Sequence, residues 1–320
     1  MVTVIKVERR SSVLTPSNLA CLSRMPTINL TAGCALGCVY CYTLGYTSYP
    51  GEDKIIVYVN TLEKLRDELA RKQTRPRAVY FSPSCDLFQP VPEVLRLGHQ
   101  VLEFLLSEGI GVAFLTKGRI PDNTMNLLWK NAGMVRAQVG ITTLNEDVAG
   151  LFEPSAERPS VRLEQIARLI AGGIATEARL DPVLPGLTDS PESLGCLFSA
   201  LAGVGVSRAA TSVLFLRPRI QASLKQNVRK EAVLQELLSF YHDARRLAIR
   251  AEHSFITTLP HAARTEICKR IGLMAKQHSI VLSVCACKNP DLARGTCNIA
   301  GSWPRRSRHG RQMALFGKGN

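Results

Sequence analysis

Residues 28–42, INLTAGCALGCVYCY, place Cys34, Cys38 and Cys41 in a CxxxCxxC pattern directly after an apolar run that reads as a strand. With 10 cysteines in 320 residues, chance would produce such a triplet in about one chain in a hundred. Thiolates this close on one loop can converge on a single metal centre, either zinc or iron–sulfur. Three ligands would leave one iron of a cubane open to substrate or cofactor. A zinc loop would need a fourth Cys or His nearby, and the first histidine in the chain is His99.

Outward from this loop, short apolar runs alternate with helical patterns. Strands are predicted at 28–31, 55–59, 78–82, 112–116, 136–142, 178–183 and 209–216, and helices at 61–71, from Pro92 onward, and at 123–131, 162–171, 190–202 and 228–248. Strands separated by helices favour a parallel sheet. Some six such units predict an α/β fold, a partial (β/α)6-type TIM barrel with a C-terminal extension. A doubly wound sheet is the competing architecture. The expected divisions are an N-terminal extension (1–24), the barrel (25–220), a helical region with a second group of cysteines (221–300) and a flexible basic tail (301–320).

At 46% hydrophobic and 21% charged residues, the chain can bury a full core. MVTVIKVERRSS does not resemble a secretory signal, and no apolar run reaches the roughly 18 residues of a membrane span, so a cytoplasmic protein with no membrane partner is expected. In that compartment cysteines more often serve metal or redox chemistry than disulfides. The net charge of +14 and pI near 9.6 point to a polyanionic partner, DNA in the first instance, over an incidental basic surface.

Beyond the triplet, YFSPSCDLFQP, LTKGR, GITTLNED, LFEPSAERPSVRLEQI and LDPVLPGLTDS follow in order. With GCALGCVYCY, this series resembles radical S-adenosylmethionine (SAM) enzymes of the spore photoproduct lyase and DNA repair photolyase-like family, over residues 25–220. The resemblance implies a [4Fe–4S] cluster on Cys34, Cys38 and Cys41, with S-adenosyl-L-methionine (AdoMet) on the open iron and a reducing electron donor. Reductive cleavage then yields a 5′-deoxyadenosyl radical that abstracts hydrogen from the substrate. It further implies Lys117 as a contact to the cofactor carboxylate, with Thr142 and Tyr40 beside the cofactor. Tyr40 and Tyr42 occupy positions implicated in hydrogen return. Aligned on Asp86, the lyase's hydrogen-donor cysteine falls at Pro83, two positions before Cys85. Cys85 is therefore either a displaced catalytic donor or a structural thiol.

Near the C-terminus, SVCACKNPDLARGTC carries Cys285, Cys287 and Cys297. That spacing suits an auxiliary iron–sulfur cluster or zinc, with Cys268 as a candidate fourth ligand, or else a set of buried reduced thiols. In the tail, Gln312 to Phe316 resembles the QxxLF peptide that docks on the DNA polymerase sliding clamp. Three function classes stand open: a radical enzyme repairing or modifying DNA, a radical enzyme acting on a peptide or small molecule, and a non-enzymatic zinc and nucleic-acid binding protein.

Overall fold

The computed structural model of the chain describes residues 2–17, 20–22, 25–249, 254–294, 297 and 303. It begins with β1 (Thr3–Val7), β2 (Thr27–Ile28), β3 (Thr31–Ala32) and β4 (Lys54–Tyr58). Alternating units follow: α1 (Thr61–Arg71), β5 (Ala78–Phe81), α2 (Pro92–Ser107), β6 (Gly111–Thr116), α3 (Asp122–Lys130), β7 (Val135–Gly140), α4 (Glu146–Phe152), α5 (Pro159–Ala171) and β8 (Ala175–Val183). The remainder comprises α6 (Pro191–Gly203), β9 (Arg208–Val213), α7 (Pro218–Asn227), α8 (Glu231–Ser239), β10 (Arg245–Ile249), β11 (Ser254–Thr258), α9 (His261–Gln277) and β12 (Val281–Val284).

Seven strands form the main sheet in the order β12-β9-β8-β7-β6-β5-β2, and every neighbouring pair is parallel. Among the described residues β2 and β12 do not pair with each other, so this is an open, partial barrel. β5 and β6 read as near-continuous apolar runs because both faces are covered, whereas β7 and β8 carry polar residues such as Arg136, Gln138, Glu177 and Arg179 at alternate positions. Along β5 and β6, Val79, Phe81, Val112 and Phe114 pack in the main core with the helices. Ala78, Tyr80 and Ala113, of the opposite parity, instead meet Leu22, Met25 and Trp303. Residues from near both ends of the chain thus fill part of the inner face.

Helix starts follow local chemistry. Proline stands in the first turn of α2, α5, α6 and α7, where its missing N–H costs no hydrogen bond. Asn145 and Ser190 cap α4 and α6 by accepting from Val148 N and Ser193 N, each at 3.1 Å.

The C-terminal region departs from the expected helical one. The helix predicted over 228–248 is only α8, after which the chain turns and forms β10, antiparallel to β11. Tyr241 is buried and donates its hydroxyl to Leu214 O at 2.6 Å, which anchors the break. β12 then joins the main sheet beside β9. Among the described residues no helix is long and apolar enough to cross a membrane.

Candidate active site

β2 belongs to the main sheet and β3 to a smaller one, ordered β1-β4-β3, so the chain crosses between two sheets just before the cysteine loop. Gly33 opens that loop at φ +84°, and a Cβ there would lie 2.6 Å from Lys54 O. Buried Gln89 fixes the next turn: its Oε1 accepts from Ala35 N at 2.8 Å while its amide donates to Thr31 Oγ1 at 3.0 Å and Asp86 O at 3.1 Å. Farther along, Val39 N donates to Phe152 O at 3.0 Å and Ser155 N to Leu36 O at 3.2 Å, tying the loop to the end of α4. Cys34, Cys38 and Cys41, none in a disulfide, line a cavity of about 1050 Å³. Burial pushes the Cys38 thiol up to about 12 and Cys34 well above its ordinary range. A cation that takes up thiolates would offset that cost.

Behind the loop lies a buried charged network. Glu153 pairs with Lys117 Nζ at 3.2 Å through one oxygen and with Arg162 at 2.5 Å through the other. Tyr40 donates its hydroxyl to Glu153 and accepts from Lys117 Nζ at 2.6 Å. Arg162 is held further by Gly140 O at 2.7 Å and Glu157 O at 2.8 Å. Burial raises the Glu153 pKa, but Lys117 and Arg162 outweigh it and leave the carboxyl below its ordinary value. Burial likewise opposes the Lys117 charge, and Glu153, Cys38 and Asp181 together hold the ammonium above its ordinary value. Asp86 accepts from Phe88 N, Thr116 Oγ1 and Lys117 N, each at 2.8 Å, and so fastens the loop after β5 to the end of β6.

Cys85, Tyr42, Asp181 and Lys288 line the same cavity. Cys85 Sγ lies 3.8 Å from Asn29 Oδ1, and burial raises its pKa. Tyr42 donates its hydroxyl to Pro83 O. The β8–β9 register shifts between Leu180 and Val183, and Asp181 sits in that irregularity. Its carboxylate accepts from Lys288 Nζ at 2.7 and 2.8 Å and from Arg179 at 3.1 and 3.2 Å.

Of the residues expected from sequence, Cys34, Cys38, Cys41, Tyr42, Cys85, Lys117, Cys285, Cys287 and Cys297 line this one cavity. Tyr40 is turned into the charged network, and Thr142 is buried just past β7; neither is in the cavity lining. Cys285, Cys287 and Cys297 meet in a buried group whose fourth member is Cys21. Cys268 lies on α9 against the main core and takes no part in it. Residues 312–316 lie outside the described residues. Sequence reasoning missed Glu153, Arg162, Gln89 and Cys21. The first two stand inside the quoted LFEPSAERPSVRLEQI, whose several other charged residues, Glu157, Arg158 and Glu164, gave no local reason to single them out.

Comparison with known proteins agrees with this geometry. Residues 28–194 match the family model described as the Radical SAM superfamily. A Pseudomonas phage M6 protein named radical SAM Nα-GlyT isomerase is 32% identical over 173 residues, covering 54% of this chain and 35% of its own length. An uncharacterized protein of Mycobacterium tuberculosis is 28% identical over 229 residues, 68% of this chain and 66% of its own. Against both, the chain spans less than two thirds of the relative's length. A structure of spore photoproduct lyase complexed with dinucleoside spore photoproduct aligns with a TM-score of 0.65 at 15% identity, covering 88% of this chain and 82% of the lyase. At that identity the likeness is one of fold. A radical SAM methyltransferase from Sphaerobacter thermophilus aligns at TM-score 0.52 and 14% identity, covering 81% of this chain and 66% of its own.

Proposed function

Since the chain belongs to the radical SAM superfamily, we propose that it is a radical enzyme that repairs or modifies DNA, with Cys34, Cys38 and Cys41 holding the [4Fe–4S] cluster. The family implies this cluster and AdoMet, and the donor set fits them: three unpaired thiols on one loop, opening on a cavity roomy enough for a cofactor and part of a substrate. When bound, cluster and AdoMet supply a 5′-deoxyadenosyl radical through one-electron reductive cleavage.

The chain's own residues prepare that chemistry. Gln89 and Gly33 hold the loop so that the three thiols face the cavity. Lys117, kept charged by Glu153, presents an ammonium to the cofactor's carboxylate. Cys85 carries a weak S–H bond in the same cavity and serves as donor of the closing hydrogen atom. Tyr42, tied to Pro83 two residues before Cys85, is the neighbouring oxidisable side chain.

The observation that carries this reading is that the cluster cysteines and Cys85 open on one cavity. The basic excess of the chain, and the dinucleoside spore photoproduct with which the similarly folded lyase is complexed, support DNA over other substrates. The proposed reaction class is carbon–carbon lyase-like. Docking of Gln312 to Phe316 on a sliding clamp belongs to the same proposal, and calorimetry of the tail peptide against purified clamp tests it.

The decisive experiment incubates the reduced, reconstituted enzyme and AdoMet anaerobically with irradiated DNA and follows nucleosides by mass spectrometry. Loss of a specific photoproduct alongside 5′-deoxyadenosine is expected. Cofactor cleavage that leaves every DNA nucleoside unchanged would contradict the DNA assignment and favour a peptide or small molecule.

A further inference from the structure

Cys21, Cys285, Cys287 and Cys297 come from three separate stretches of sequence, yet all four are buried in one group with Ala210 of β9. Cys21 Sγ lies 3.2 Å from Cys287 Sγ and 3.4 Å from Cys297 Sγ, and Cys297 N donates to Cys21 Sγ at 3.5 Å. Cys285 completes the set, buried in the same group. No disulfide joins any of them.

We propose that these four cysteines form a mononuclear tetrathiolate zinc site that clasps the open barrel from within. Zn–S bonds of about 2.3 Å place tetrahedral sulfurs about 3.8 Å apart, so the observed contacts need open by only a few tenths of an ångström. A cubane would instead hold its four cysteine sulfurs well out of mutual contact. Four thiolates on Zn²⁺ carry a double negative charge, which a buried site must offset. Arg179 stands beside Cys285 and Cys297, buried and paired through Nε and Nη2 with Asp181, and its Nη1 lacks an oxygen or nitrogen acceptor among the described residues. A sulfur bearing negative charge supplies that acceptor.

The ligands explain what the site does. Cys21 precedes β2, and Cys285 follows β12, the two unpaired edges of the main sheet. Joining them closes across the gap the ring that the strands leave open. Cys21, Cys285, Cys287 and Cys297 also line the cavity reached by Cys34, Cys38 and Cys41. Lys288, next to Cys287, binds Asp181 on that same wall. Holding the four sulfurs therefore shapes the substrate side of the cavity, while leaving the metal no open position for chemistry. This assignment is independent of the radical reading.

Metal analysis of the full chain tests it in a background with Cys34, Cys38 and Cys41 replaced by Ala, which removes the other thiol site. About one zinc per chain is expected, falling at least tenfold on adding Cys21→Ser or Cys287→Ser and unchanged on adding Cys268→Ser. Should the ligand variants fail to fold, zinc-edge X-ray absorption on the parent background decides alone. A shell of four sulfurs at about 2.3 Å supports the site. A mixed sulfur and nitrogen or oxygen shell, zinc retained in Cys21→Ser, iron in place of zinc, or the four cysteines recovered as disulfides would each overturn it.

Discussion

At residue scale the account rests on a few buried groups whose partners are specified. Among the described residues, Glu153 is the carboxylate that pairs with both Lys117 and Arg162. Replacing it by Gln strands two buried cations, so Glu153→Gln should lower stability by about 3–5 kcal/mol in urea unfolding; a change under about 1 kcal/mol would mean the network is not the anchor described. Its pH dependence has a definite sign. Glu153 has a depressed pKa, so its contribution is present above the ordinary value of 4.5 and is lost as pH falls below it. Lys117 has a raised pKa, so its contribution is present below 10.5 and is lost as pH rises through its higher folded value. The contribution of this pair should be flat between those limits, as the difference between wild type and Glu153→Gln measured across pH would reveal. Cys85→Ala should still cleave AdoMet but release abnormal or adducted products. A wild-type product distribution would return Cys85 to a structural role.

Among the elements, the cysteine loop depends on contacts made before and after it. Gly33→Ala forces a side chain onto Lys54 O at a positive φ, a strain of about 1–3 kcal/mol. Gln89→Leu leaves Ala35 N without its acceptor, at a cost of about 1–3 kcal/mol. Both variants should bind less iron on reconstitution than wild type; full iron loading would show the loop tolerates either change. The strands at 78–81 and 112–116 were legible because their apolar runs are nearly uninterrupted, as a doubly covered parallel sheet demands, and the strand at 135–140 because Val135, Ala137 and Val139 alternate with Arg136 and Gln138. The helix expected over 228–248 misled because Leu234, Leu237 and Tyr241 fit helical spacing. What ends it is the anchoring of Tyr241 on Leu214, a tertiary contact with no local signature. β1 was missed for the same kind of reason: it is mostly exposed, and its place is set by pairing with β4.

For the whole molecule, the sequence disclosed the partial barrel and the superfamily because both are written locally, in strand–helix alternation and in CxxxCxxC. It could not disclose Cys21, which joins Cys287 across 266 positions, nor the pairing of Glu153 with Lys117, which is created only when α4 closes on β6. Under the proposed DNA assignment, a net charge of +14 predicts an affinity that falls on the order of tenfold or more between 50 and 200 mM salt. Affinity that ignores salt would argue against phosphate contacts. The central claim is that Cys34, Cys38 and Cys41 hold the cluster that cleaves AdoMet. It is tested most directly by anaerobic reconstitution, reduction and quantification of 5′-deoxyadenosine for wild type and for Cys34→Ala, Cys38→Ala and Cys41→Ala. The account predicts formation by wild type and none above background by each variant. Wild-type cleavage by any one of them, or none by the reconstituted wild type, would contradict it.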